Sequence, residues 1–389
     1  MNVITITREY GAGGGEVAGK LAERLGWEVL DRQLLHEAAE VQHMPDAELE
    51  RLDEKAVEMA DRFRLHPPHQ QYIHGLTEAV RRAANRGNVI LVGRGARHLL
   101  GDTPAALHLR LVAPKAWRAH RMATLEGWSE EQALARSTEV DRTRDRFTRY
   151  FFGVAANQPA QYDLIVNSSR LPLDEVAAVV AAAVQGHQPV SGETPSTGKR
   201  VLTLSRELGA GERGFAPTLA ERLGLQVYDR ELLEQEAARL GVTEAELEKI
   251  DEQPAGIFQR FRPGSLYQRY FQALEQLMKK LAQRGDVLLV GRGGSRFLQD
   301  DPRALHVHLV ATMAERVRRI MEYRWLREEP ARKLIAQSDA QRHSFYESYF
   351  GADWSSPLEY HVTVNTGRLG PMAVELVAMA AERFWSRMQ

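Results

Sequence analysis

The chain is one module written twice. Residues 3–170 align without a gap with 201–368, at a constant offset of 198. Arg8-Glu9 recurs as Arg206-Glu207, Gly11-Ala12-Gly13 as Gly209-Ala210-Gly211, and Asp31-Arg32 as Asp229-Arg230. Gly93-Arg94-Gly95 recurs as Gly291-Arg292-Gly293, and Asp141 and Arg144 as Asp339 and Arg342. In the first 38 pairs 20 residues are identical, so the chain carries its own comparison: a residue kept in both copies is under a shared constraint. The period is far longer than a solenoid repeat, so each copy has to bury its own core. A length of 389 residues fits two domains of just under 200 each. The expected boundaries are residues 1–185 and 200–389. Between them residues 186–199 (GHQPVSGETPSTGK) lack hydrophobic periodicity and read as a linker.

Within each copy, short apolar runs alternate with helical patterns. Residues 3–7, 27–30, 89–92, 106–112 and 164–166 read as strands, and 16–25, 129–152 and 173–184 as helices. A mostly helical stretch broken at Pro67-Pro68 is expected over 46–86. This order predicts an α/β fold, a parallel sheet covered by helices on both faces, with ligands at the carboxyl ends of strands. The formal charge of -1 gives no bulk attraction for nucleic acid or anionic lipid, and neither partner is expected. The absence of cysteine excludes disulfides, thiolate zinc sites and a cysteine nucleophile. The longest apolar run, 176–184, is too short to cross a bilayer, and no signal-peptide pattern opens the chain; a cytoplasmic location is the expectation.

The first strand runs into a glycine loop, Gly11, Ala12, Gly13, Gly14 and Gly15, and its partner Gly209, Ala210, Gly211, Glu212 and Arg213. Glycines between a strand and a helix let backbone N–H groups turn inward and cradle an anion. Two phosphate-loop readings compete. Gly209, Gly211 and Gly214 satisfy the dinucleotide pattern G-x-G-x-x-G, but copy one has Glu16 at the third glycine. A mononucleotide P-loop has the right length, yet Gly14 and Glu212 hold the lysine position, and the following Ser/Thr is missing.

The run ITITREYGAGGGEVAGKLAERLGWEVLDRQLL, then VILVGRGARHLL, the D-x-x-R of the charged helix and YDLIVNSSRLPLDE resemble the cytidylate kinase-like family. The resemblance covers nearly all of each copy. It implies two tandem P-loop kinase-like domains, each with a helical substrate insert (41–86 and 239–284) and a mobile lid (129–157 and 327–355). It also implies ATP and Mg²⁺ as cofactors and a nucleoside monophosphate such as CMP as acceptor. This branch commonly carries an arginine after a glycine at the lysine position; Arg213 fits and Gly15 does not.

Phosphoryl transfer needs positioning and positive charge, which arginine supplies through its planar fork. Arg8 and Arg206 stand at the mouth of the glycine loop, as phosphate ligands or as ion-pair partners of Asp31 and its counterpart. Arg94 and Arg292, between two glycines after a buried strand, are placed by the resemblance on the acceptor phosphate. Asp141 with Arg144, and Asp339 with Arg342, share an i, i+3 spacing on a helix: an intrahelical ion pair, or lid residues that close on phosphates. These eight residues form the expected catalytic set. Asp31 and Asp229 end the second strand, where they orient the acceptor, hold a magnesium-bound water or cap the next helix. Arg118, Arg121, Arg316 and Arg319 either approach the donor or solvate a helix. His108 and His306 read as core. No direct metal ligand is assigned. The leading expectation is an ATP-dependent nucleoside monophosphate kinase, beside a non-catalytic nucleotide-binding protein and, more weakly, a dinucleotide-binding protein. The two copies are also expected to imitate a homodimer within one chain.

Overall fold

Strand Val3–Arg8 (β1) is the centre of the first copy. Its residues 3–6 are buried, and it pairs in parallel with Val89–Val92 (β3) on one side and Ala106–Val112 (β4) on the other. The computed structural model describes residues 1–31, 68–93, 95–186, 200–211, 214–229, 266–291 and 293–388. The chain divides into two compact units, Met1–Gln188 and Pro189–Gln389. Linker residues 187–199 and insert residues 41–67 and 239–265 lie outside the described residues.

In the first unit β1 leads through Gly14–Leu25 (α1) to Glu28–Leu30 (β2), which pairs with β3. Helix Pro68–Arg86 (α2) precedes β3, and Ala96–Leu100 (α3) separates β3 from β4. Lys115–Glu126 (α4) and Glu130–Phe152 (α5) follow, then Leu164–Asn167 (β5) beside β4, and Leu173–Gln185 (α6). The strand order is β2-β3-β1-β4-β5, all parallel. β1 therefore neighbours β3 and not β2, which departs from the 3-2-1-4-5-6 order of dinucleotide-binding sheets and counts against that reading of the glycines. All seven residues of β4 are buried, as expected for a strand covered on both faces.

The second unit repeats the plan. Its strands are Val201–Arg206 (β6), Gln226–Tyr228 (β7), Val287–Val290 (β8), Ala304–Val310 (β9) and Val362–Asn365 (β10). They pair in the order β7-β8-β6-β9-β10. Its helices are Phe215–Leu223 (α7), Leu266–Arg284 (α8), Gly294–Phe297 (α9), Met313–Arg324 (α10), Glu328–Phe350 (α11), Thr366–Leu369 (α12) and Met372–Ser386 (α13).

Local chemistry sets the element ends. Helix α1 stops at Gly26, whose φ of 68° suits glycine. Helix α5 starts with a capping box: Ser129 accepts from the Gln132 N–H, and the Gln132 side chain accepts from the Ser129 N–H. The carboxyl-terminal half of α5 is anchored by aromatic packing. Tyr72 of α2, fully buried, lies 6.2 Å from Phe147 and 6.1 Å from Phe151. In the second unit Phe271 of α8 stacks on Tyr349 of α11. The lid stretch is thus tied at this end to the helix that follows the insert. Replacing Tyr72 with Ala should cost the first unit about 3–5 kcal/mol, by loss of burial and the cavity left behind. Urea unfolding followed by circular dichroism measures it; an unchanged midpoint would mean the cluster does not anchor α5.

Candidate active site

At the carboxyl edge of the sheet the chain leaves β1 into the glycine loop. Gly93 after β3 donates its N–H to Ile6 O at 2.9 Å, and Glu9 donates to Leu111 O at 3.1 Å. The loop passes hard against the start of α4. Gly11 has φ 81°, and a Cβ there would sit 3.1 Å from Arg118 O; at Gly209 it would sit 2.8 Å from Arg316 O. Positive φ and close backbone approach together explain why both copies keep glycine. Past Gly13 the first-turn N–H groups of α1 have no preceding helical carbonyl, which leaves them available to an anion.

Arg8, the last residue of β1, lies across this loop. A Cβ on Gly14 would meet its Cγ at 2.7 Å, and a Cβ on Gly93 would run into its Nη1. In the second unit a Cβ on Gly291 would lie 2.7 Å from Arg206 Nη1. The glycine after β3 and after β8 therefore makes room for an arginine arriving from the neighbouring strand. Arg8 Nη2 is 3.5 Å from Asp31 Oδ2. Burial lowers the pKa of Arg8, and Asp31 partly restores it. The ion pair between strand ends is thus formed, and Asp31 is Arg8's counter-ion.

A dense set of polar contacts belongs to Arg118, which was left outside the expected catalytic set. It is buried at 2% exposure, where a solvated helix position had been one of two expectations. Its Nε donates to Ala113 O at 2.9 Å; its Nη1 donates to Tyr10 O and to Asp141 Oδ2, both at 2.7 Å. Glu9 lies 3.4 Å from Nε and accepts the Ala113 N–H at 3.1 Å. Asp141 Oδ1 also accepts the Tyr10 N–H at 2.8 Å. One guanidinium thus joins the loop, the end of β4, α4 and the lid helix. Arg316 repeats it: Nε donates to Leu208 O at 2.8 Å, and Nη2 to both Asp339 oxygens at 2.7 Å. Glu207 stands 3.5 Å from it, and burial raises the Glu207 pKa against the pull of Arg316.

Asp141 is therefore turned to the loop and the buried arginine. One helical turn on, Arg144 Nη1 donates to Arg8 O at 3.1 Å, with its guanidinium 6.0 Å from the Tyr10 ring centroid. Arg342 lies 5.7 Å from the Trp354 ring centroid. The structure brings Arg8, Asp31, Arg144 and the glycines together. Arg94, Arg292, Glu212, Arg213, Arg32 and Arg230 lie outside the described residues. Asp229 ends β7 as Asp31 ends β2. Among the described residues no group of three His, Asp or Glu is placed to hold a metal ion.

His108 and His306 are buried as expected, their Nδ1 atoms 2.7 and 2.8 Å from Thr5 and Thr203 Oγ1. Two positions further along the strand the copies diverge. Arg110 lies 3.8 Å from Glu9 and 5.4 Å from the Tyr162 ring centroid. Its counterpart His308 stacks on Tyr360, centroids 4.6 Å apart, and meets Trp354 edge-on. Burial, then Arg342 and Arg316, push the His308 pKa down to about 3.

A parallel sheet with a glycine loop at the end of its central strand, and arginines converging on that loop from two further elements, defines a P-loop kinase fold. The chain belongs to the cytidylate kinase-like family, which it matches over residues 3–170 and again over 201–368. A cytidylate kinase from Methanopyrus kandleri is 31% identical over 191 residues, covering 47% of this chain and 92% of that protein. One from Pyrococcus horikoshii is 30% identical, covering 48% and 91%; one from Natronomonas pharaonis is 30% identical, covering 50% and 97%. Each relative thus has about the length of one repeat. The family is one of nucleotide-binding kinases. No helix among the described residues is long and apolar enough to cross a membrane.

Two outcomes are expected. Asp141→Ala should cost about 3 kcal/mol, because it takes a partner from a buried cation; chemical denaturation beside Asp141→Asn reads this. His308 has a folded pKa below its unfolded 6.5, so its contribution is complete above pH 6.5 and is lost as pH falls toward 3. His308→Phe should flatten the fall in melting temperature between pH 7 and pH 5. An unchanged slope would assign the acid sensitivity elsewhere.

Proposed function

We propose that the protein transfers the γ-phosphoryl group of ATP, with Mg²⁺, to a nucleoside monophosphate of the CMP type. The observation that carries this reading is Arg8, a largely buried guanidinium laid over the glycine loop, whose ion-pair partner among the described residues, Asp31, stands at 3.5 Å. A buried cation with so distant a partner is completed by a further anion, and a phosphate on the loop supplies one. Arg8 thereby takes over part of the role of the missing P-loop lysine. Arg144 approaches the same phosphates from the lid helix and offsets charge that develops in transfer. Arg94 and Arg292 hold the acceptor phosphate.

Magnesium is bound in such sites chiefly by nucleotide phosphates and one or two carboxylates. Asp31 fits that demand. Its side chain is 42% exposed at the loop mouth, whereas Glu9 and Asp141 are turned onto Arg118. It would hold the ion directly or through water.

A nucleotide-binding protein without turnover is the second reading. It is favoured by Glu212 at the lysine position and by the absent Ser/Thr. Coupled ADP release with ATP-Mg²⁺ and a panel of nucleoside monophosphates separates the two. Turnover with CMP is expected, falling roughly 100-fold or more in Arg144→Ala if that residue acts on the transition state. Arg94→Ala, Arg292→Ala and their double variant test the acceptor contacts. Calorimetric ATP binding without turnover on any acceptor would establish the second reading instead.

A further inference from the structure

We infer that the donor nucleotide binds in the first unit only, because the second unit closes its donor side with its own side chains. The inference rests on the kinase reading above and names which repeat takes ATP. In each unit the glycine loop sits at the middle strand. Helix α2 or α8 leads into β3 or β8 on one flank of that strand, and the acceptor of the kinase reading is assigned to that flank. The donor's nucleoside must then lie on the other flank, over the strand β5 or β10 and the helix α4 or α10.

On that flank the copies differ. In the second unit Arg319 Nη1 donates to Thr366 Oγ1 at 2.8 Å and to Gly209 O at 3.3 Å, while Nη2 donates to Thr366 O at 3.1 Å. Its Nε donates to Glu315 Oε1 at 2.9 Å. Thr366, 4% exposed, in turn donates to Ala210 O at 2.8 Å. A continuous bridge therefore runs from α10 through the first residue of α12 to the glycine loop. It occupies every nitrogen of Arg319 and two carbonyls of the glycine loop.

The first unit cannot build this bridge. Trp117 stands where Glu315 does, and Ser168 where Thr366 does. Ser168 Oγ donates back to Val112 O at 3.3 Å. Arg121, the counterpart of Arg319, donates to Gly11 O at 3.3 Å and to Glu16 Oε2 at 2.8 Å. Glu16 is 48% exposed, and an ion pair so placed is weak enough for a triphosphate to displace. In the second unit Gly214 replaces Glu16, so Arg319 has lost that partner and is held by Glu315 and Thr366.

The test is the stoichiometry and location of ATP on the full chain with Mg²⁺. Calorimetry should give one equivalent per chain. Photolabelling with 8-azido-ATP followed by peptide mapping should place the label within residues 1–186. The double substitution Glu315→Trp with Thr366→Ser gives the second unit the first unit's residues and should raise the stoichiometry toward two. Two equivalents on the wild type, label in residues 200–388, or a double variant that stays at one would each overturn the inference and leave the kinase reading intact. No ATP binding at all would overturn both.

Discussion

The site is organised around one buried guanidinium per repeat. Arg118 and Arg316 sit where four chain segments meet, and each is satisfied by backbone carbonyls and carboxylates from different segments. A charge taken out of water is tolerated only when its partners are close and well directed. Meeting that demand fixes the loop, the end of β4 and the lid helix relative to one another. The glycine loop keeps its path because Gly11 and Gly209 pack on the backbone of the same arginine.

A second pair of arginines lies at the same loop. Arg8 arrives from the sheet and Arg144 from the lid helix, meeting where Arg144 bonds Arg8 O. The division is physical. Arg118 is enclosed by protein acceptors and holds the scaffold, while Arg8 is largely buried with its carboxylate partner Asp31 at 3.5 Å. The aromatic clusters at the ends of α5 and α11 tie those helices to α2 and α8.

The repeats show how duplicated frames diverge. The central network is kept, while residues one shell away exchange character: Arg110 against His308, Trp117 against Glu315, Ser168 against Thr366. The exchanges at Glu315 and Thr366 change the hydrogen bonds that reach the glycine loop, and the strand order is the same in both units.

Much of this was legible in the sequence. Strand–helix alternation, the glycine loop and the constant offset of 198 determine two α/β units, because period and glycine placement depend only on local chain geometry. Histidines 108 and 306 were readable as core from their place in apolar strands. The strand order was not readable, since parallel pairing joins residues 55 to 103 positions apart. Nor was the role of Arg118: on its helix it looks like one of several exposed arginines, and only packing of α4 against the loop buries it. Asp141 and Arg144 suggested a local i, i+3 pair, yet Asp141 finds its partner 23 residues away. The sequence by itself determined which side chains carry charge and which turns need glycine. The tertiary structure decided which charges face each other, because ion pairing depends on distances that chain separation does not set.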